Sequence, residues 1–472
     1  MKNLRIILLV ALILSIPVLA QEGVGLHFYT DAKDPKKIVG LSILNATQDW
    51  ILDNRLGDFP YLGFIEVSKD SKKYSSEDGV LYNKDKTKLL YCPPAKRGKL
   101  VIPQSVEKLE GGISRCVHLT SVTFPDSAKD ILQLIKYDAF SGNYYNSELP
   151  ALDNSDLSEI IVSPGNPYYS SEDGLLYNKD KTALLYCPFA RQGKIILPES
   201  VKRISLEAFY KCEEIVTVVL NDSVRIDDRS CFNSCKKLAS IEVSKGNPNY
   251  ASQDGILYDK NKTKIILFPI NLQGDIQLSR SLKRINDIFE GFYHPFYGND
   301  KYILYIPNTV TDIRSLAFMG CRTRIKPARH NSIKKIGFEA FTNSNLDSLF
   351  LDSIESIDAS AFQHCLSLKS VVITSDSLKE IPKSAFEHCL NLEYITLPKS
   401  ITKIGESAFA DCRSLKEITV VCGKPPKLKK KDLIFHQVDL STCVLGVPKG
   451  RWFAYRTAKI WRKFKHIKTV KE

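Results

Sequence analysis

Two histidine–cysteine pairs are the residues of this chain whose types best suit chemistry. His364-Cys365 and His388-Cys389 stand at corresponding places, 24 residues apart. Two imidazoles and two thiols are zinc-type ligands, and a tetrahedral site needs all four to converge. Neighbouring residues of an extended coil point opposite ways. The histidines are therefore expected outside, the cysteines inside, and no metal between them. A Cys-His nucleophile would need a third, orienting residue, and none is visible. A second candidate is the polar turn Asn83-Lys84-Asp85-Lys86-Thr87, for calcium. An EF-hand loop needs glycine at its sixth position and glutamate at its twelfth. Counted from Asn83 those places hold Lys88 and Pro94, so the turn reads as a solvated hairpin turn. Gly-x-Ser-x-Gly, a Walker loop, His-Glu-x-x-His and a dinucleotide glycine fingerprint are missing from the sequence. Its carboxylates form no readable acid/base pair across a cleft. The expectation is a chain that is not an enzyme and carries no cofactor.

The cysteines belong to a larger pattern. Ala-Phe-x-x-Cys recurs at Ala208-Phe209, Ala317-Phe318, Ala361-Phe362, Ala385-Phe386 and Ala408-Phe409, with cysteines at 212, 321, 365, 389 and 412. Cys231-Phe232 with Cys235 is a variant, and Ala340-Phe341 is followed by Ser344. Phenylalanines of consecutive units lie 21 to 24 residues apart, a period that signals stacked repeats. After each cysteine comes an apolar residue and then an alternating run, as in Leu392-x-x-Ile395-x-Leu397-Pro398. Period-two alternation buries one face of a strand. Strands joined by a whole coil must pair in parallel. A short apolar pair, such as Ile401 and Ile404, precedes each Ala-Phe, which is expected on a helical turn. Phenylalanine fills the core between coils, and cysteine acts as a small buried hydrophobe. No coil buries its own face, so stability belongs to the stack.

Charge and cysteine usage bound the rest. The net charge of +13 is concentrated: residues 424–472 hold fourteen Lys/Arg against Asp432, Asp439 and Glu472, while 21–423 balances at zero. Attraction to an anionic partner should come from the C-terminal end. Lys2 and Arg5, the apolar run Ile6 to Val18 and the small-residue pattern Val18-Leu19-Ala20 read as a secretory signal peptide over 1–20. No cysteine follows the cut to take a lipid, and no later apolar run is long enough for a membrane helix. The expected location is secreted or cell-surface. Most of the twelve cysteines are expected as reduced ladder residues. Cys422 and Cys443 lie outside the ladder and are left open as a bridge.

The unit Ala-Phe-x-x-Cys-x-x-Leu-x-x-Ile-x-Leu-Pro resembles the BspA-like, treponemal-type leucine-rich repeat. Thr442 to Gly450, followed by Ala454-Tyr455-Arg456 and Trp461, is similar to that family's capping segment. The resemblance implies an α/β-type leucine-rich-repeat solenoid: a parallel strand ladder with short helical turns, inserted β-hairpins and a C-terminal cap. It also implies an exported or surface protein, with adhesion or protein–protein interaction at a bacterial cell surface as its class of function. A glycan-binding component of an envelope or nutrient-capture system is the alternative. The expected domains are a capping segment at 21–60, repeats over 61–421 and a basic cap at 422–472. Hairpin inserts fall at 68–93, 163–188 and 244–269. Each contains Asp-Gly ahead of its first apolar run, a turn signal with φ > 0.

Two stretches break the repeat. One contains Tyr144 and Tyr145; the other packs Phe292, Tyr293, Phe296 and Tyr297 among Gly, His and Pro. Tyrosine-rich loops on a rigid scaffold suit recognition of a host or microbial surface protein or glycan. The competing reading packs these aromatics onto an irregular coil. Lys427, Lys429, Lys430 and Lys431 are the candidate contacts to an anionic envelope surface, while Trp452, Tyr455, Trp461 and Phe464 are expected to seal the last coil. Nucleic acid is not an expected partner, and no transmembrane segment is expected.

Overall fold

The computed structural model describes residues 25–34, 37–45, 59–109, 113, 116–129, 131, 156–226, 229–285, 302–428 and 433–470. The chain divides into two units. The first comprises Met1–Gly193, Pro198–Ile215 and Ser223–Lys236; the second comprises Lys194–Leu197, Val216–Asp222 and Lys237–Glu472. Both are built from stacked coils.

One coil of the second unit shows how the sequence makes the fold. In the strand Tyr394–Leu397, Ile395 and Leu397 are buried while Tyr394 and Thr396 face outward. Pro398, which has no N–H to extend the ladder, ends the strand. Its carbonyl accepts the Ile401 N–H at 3.3 Å, closing the corner. Lys403–Ile404 forms the short second strand. The chain then passes Ala408-Phe409 and Cys412 and enters the next long strand, Glu417–Val420, with Glu417 opposite Tyr394 in parallel register. Six such strands form one sheet: Ser348–Leu351, Ser370–Ile373, Tyr394–Leu397, Glu417–Val420, Val444–Pro448 and His466–Val470.

The Ala-Phe segment differs from expectation. It is a run of turns rather than a helical turn, because two residues per coil take the left-handed conformation. In one coil these are Ser384 (φ 53°) and His388 (φ 58°). The backbone N–H groups they redirect bond to the next coil. Phe341, Phe362 and Phe386 donate to the carbonyls of Ala361, Ala385 and Ala408 at 2.8–2.9 Å. The turn segment is thus a third inter-coil ladder, and its buried backbone is paired as burial demands.

The core side chains form columns. Phe318, Phe341, Phe362, Phe386, Phe409 and Phe435 stack at 5.1–5.7 Å between ring centroids. Burying each such ring is worth about 1.5–3 kcal/mol. The cysteines do more than fill volume. Cys365, Cys389 and Cys412 direct Sγ at the carbonyl of the preceding coil's Phe341, Phe362 and Phe386, at 3.0–3.1 Å. Ser344 occupies the same column and lies 3.6 Å from Cys365 Sγ. All twelve cysteines are buried free thiols, including Cys422 and Cys443. Ellman's reagent is expected to react with none of them in the native chain and with twelve in denaturant. Ten in denaturant would reveal a bridge, and rapid native reaction would contradict the burial.

The first unit carries two of the inserted modules. Tyr74–Glu77, Val80–Asn83 and Lys88–Tyr91 form an antiparallel meander, and its last strand joins Lys108–Leu109 in parallel. Tyr169–Glu172, Leu175–Asn178 and Ala183–Tyr186 repeat the arrangement beside Arg203–Ile204. Asp78 and Gly79 both have positive φ, as the Asp-Gly signal predicts, but a strand also precedes that turn. Asn166 fastens its module. Its amide donates to the Pro125 and Ala128 carbonyls at 3.0 and 2.8 Å, while its oxygen accepts the Tyr168 and Tyr169 N–H groups at 2.9 Å. The third module, Tyr250–Gln253, Ile256–Asp259 and Ile265–Leu267, lies in the second unit.

Candidate interaction surface

Tyr144, Tyr145, Phe292, Tyr293, Phe296, Tyr297, Lys429, Lys430 and Lys431 lie outside the described residues. Lys427 is described: it is exposed, and its N–H continues the short-strand ladder by donating to Thr402 at 2.9 Å.

The histidine–cysteine pairs separate across the coil wall. Cys365 and Cys389 sit in the core, while His364 and His388 stack outside it at 4.5 Å, nearly parallel. They are half-buried rather than freely exposed, because left-handed turns one coil apart place the rings face to face. Partial burial and then the His388 ring hold His364 below the usual imidazole range, against Glu387. His388 Nδ1 lies 3.8 Å from the Asp411 carboxylate, which Arg413 grips at 2.7 and 3.1 Å. Among the described residues no three His, Cys, Asp or Glu side chains converge in a metal-ligand geometry. In the calcium candidate, Asn83 Oδ1 accepts the Lys88 N–H and Asn83 Nδ2 donates to Thr87, so the turn's oxygens serve its own donors.

The outward side of the long strands is unusual for a solvated face. Phe350 and Val372 are cross-strand neighbours, Val372 pairs with Thr396, and Thr396 pairs with Thr419. Tyr394 projects beside them, 48% exposed. In the first unit the row Val101, Thr123 and Ile161 occupies the same kind of position, with Val101 62% exposed. Elsewhere on the coils, several charges are matched between neighbours. Lys334 pairs with Glu355, Lys383 with Glu406, Lys416 with Glu393 and Arg324 with Asp347, at 2.6–3.0 Å. Such exposed pairs add little stability each, but each cancels its own charge locally.

A second feature is a polar cavity of about 950 Å³ in the second unit. Its lining includes Gln253, Lys262, Gln277, Arg280, Tyr305 and Lys326, and no carboxylate among the described residues. Gln253 is held at both ends: its amide donates to the Gln277 carbonyl at 3.0 Å and its oxygen accepts Lys262 at 3.4 Å. The Lys326 ammonium lies 5.7 Å from the centre of the Tyr305 ring.

At the C-terminal end the open core is closed by aromatics. Phe435 meets Trp461 at 6.0 Å and Phe464 at 5.5 Å, and Tyr455 meets Trp461 at 5.6 Å. The polar tips are satisfied: Tyr455 donates to the Cys422 carbonyl at 2.9 Å and Trp461 to that of Pro426 at 3.1 Å. Trp452 does not join the seal. It is 44% exposed, because the short helix Trp452–Thr457 turns Tyr455 inward and leaves 452 and 453 facing outward.

The family model of the BspA type leucine rich repeat region matches residues 186–287 and 293–416, in six copies, just under half of the chain. The repeats over 186–287 and 293–416 are of the BspA leucine-rich type. No curated protein matches it. Among solved structures it is similar to the pneumococcal vaccine antigen PcpA, at 16% identity over 97% of this chain and 98% of that one, with a TM-score of 0.41. A leucine-rich repeat protein from Bacteroides ovatus ATCC 8483 gives 18% identity, coverage of 92% and 100%, and 0.41. A leucine rich cell surface protein from Faecalibacterium prausnitzii A2-165 gives 19%, coverage of 83% and 100%, and 0.29.

BspA-type repeats make this a repeat protein of protein–protein interaction, in a family that is typically non-catalytic. Among the described residues no helix is long and apolar enough to cross a membrane. The outward strand row, the cavity and the exposed Trp452 and Phe453 escaped sequence reasoning. For the row a signal exists: Phe350, Val372 and Tyr394 are large residues at the polar phase of their strands. For the cavity there is none, because its lining comes from coils and an insert far apart in sequence.

Proposed function

We propose that this BspA-type chain is an exported, non-catalytic binding protein that works at a bacterial cell surface, by adhesion or protein–protein contact. The observation that carries the reading is the outward side of the long strands, where half-buried Phe350 and Val372 and exposed Tyr394 stand at positions a solvated strand gives to polar residues. A solvated strand face alternates to polar residues, and contiguous exposed apolar side chains mark contact sites. Parallel pairing fixes the row on a rigid ladder, so little ordering entropy is lost on binding. The leader-like segment 1–20 supports export, with 21–60 and 422–472 assigned as end caps.

The test is a solid-phase assay of the purified chain on fibronectin, laminin and collagen, alongside fractionation of the producing cells. Binding to at least one protein is expected, with a loss of tenfold or more in the Phe350→Ser/Val372→Ser/Tyr394→Ser variant at an unchanged circular dichroism spectrum. Equal binding by parent and variant would remove the row from the reading, and cytoplasmic retention would remove export.

The cavity favours a second reading, capture of an acidic glycan. Lysine, arginine and amide groups suit carboxylate and hydroxyl ligands, and Tyr305 offers a ring on which a sugar can lie. Retention of uronic-acid oligosaccharides on an array, lost in Arg280→Gln/Lys326→Gln, would favour it over the protein-contact reading.

A further inference from the structure

We infer that the C-terminal cap docks on a bilayer surface bearing anionic headgroups, with Phe453 and Trp452 entering the interface. The inference rests on the export reading for its setting, but on the cap alone for its chemistry. Phe453 is 71% exposed and Trp452 44%, on a helix whose inner side is already committed to the seal by buried Tyr455. The two rings therefore have no core left to fill. On the same cap segment Lys449, Arg451, Arg456, Lys459, Arg462 and Lys463 are all exposed. Several coil lysines, by contrast, are matched by glutamates one coil away: Lys334 by Glu355, Lys383 by Glu406 and Lys416 by Glu393. Among the described residues none of these six cap cations has a carboxylate partner, and Lys468, paired with Glu417 at 2.8 Å, marks the edge of the patch.

An exposed phenylalanine and tryptophan on a segment rich in unmatched cations is the composition of an interfacial contact. Aromatic rings sit at headgroup depth, while long basic side chains lay their stems on the surface and reach phosphates. The Arg456 guanidinium is already poised 5.5 Å over the Trp452 ring, so the aromatic and cationic parts act as one contact. A soluble acidic polymer would use the charges and leave Phe453 unexplained, which is why the lipid surface is the partner chosen.

The experiment is co-sedimentation of the full chain with vesicles of phosphatidylcholine alone and of phosphatidylcholine doped with phosphatidylglycerol. Binding to the doped vesicles and not the plain ones is expected, weakening as salt is raised. Phe453→Ser should lower the partition coefficient about tenfold, from the lost burial of one ring. Arg456→Gln/Lys459→Gln should lower it by a similar or larger factor, at about fivefold per charge. Thermal melts of both variants, expected unchanged because the residues are exposed, separate binding from folding. Absence of binding to doped vesicles would overturn the inference. So would full retention by Phe453→Ser, or binding to heparin without binding to vesicles. Vesicle binding by a chain that fractionates with the cytoplasm would refute export and leave the inference standing.

Discussion

Substituting Phe386→Ala is expected to cost about 3–5 kcal/mol, the range for a large aromatic removed from a packed core. Phe386 is fully buried and stacks on Phe362 at 5.2 Å and on Phe409 at 5.7 Å. The hole would therefore open onto two neighbouring rings that their own coils hold in place. Because each coil touches only its neighbours, the damage should be local. Denaturant titration should show a lower midpoint. Hydrogen exchange should show lost protection across the coils of Phe362, Phe386 and Phe409, with that of Phe318 spared. A loss under 1 kcal/mol, or protection lost evenly over the second unit, would contradict a column of stacked coils.

The second large effect is alkaline unfolding. Burial pushes the Cys365 and Cys422 thiols up to about 11 and those of Cys412 and Cys443 up to about 12. Cys389 is raised as well, by burial and then by its column neighbours Cys365 and Cys412. An unperturbed thiol ionises near 9.0. Between that value and the folded one, the unfolded state has released a proton that the folded state keeps. It therefore binds fewer protons, and stability falls as pH rises. Below pH 8 the contribution is fully present. At pH 10 each such thiol withdraws on the order of 1 kcal/mol, and several acting together withdraw a sizeable part of a domain's stability. Circular dichroism against pH should show cooperative unfolding beginning between about pH 9 and 10. The Cys365→Ala/Cys412→Ala variant should be weaker at neutral pH yet lose stability less steeply above pH 9. A chain equally stable at pH 7 and 11 would mean that the thiols are not sealed in the core.

These two effects also show what was legible beforehand. Ala-Phe-x-x-Cys states the period, the Phe column and the burial of the cysteines, because one residue type at one place in every coil must stack on itself. The Asp-Gly turns of the modules are readable for a similar reason, since few residues accept positive φ. What the repeat could not convey is how its turn is wired. The left-handed Ser384 and His388 are ordinary residues locally, and only the hydrogen bonds offered by the next coil make that conformation worthwhile. That wiring turns an expected helical turn into a third ladder and stacks His364 on His388.

By itself, then, the sequence determined the solenoid, the inward phase of its strands, the aromatic closure of its end and the concentration of positive charge there. Periodicity does this because burial is decided coil by coil, by residues close in the chain. The tertiary structure alone decided which surfaces are left for partners. It matched several coil charges across neighbours and left six exposed cations of the cap without a carboxylate partner among the described residues. It gathered Gln253, Arg280, Tyr305 and Lys326 around one cavity, and it turned Tyr455 inward so that Trp452 and Phe453 face out. Each of these depends on contacts between residues one or more coils apart, and a pairing across coils leaves no trace in the local pattern of either partner.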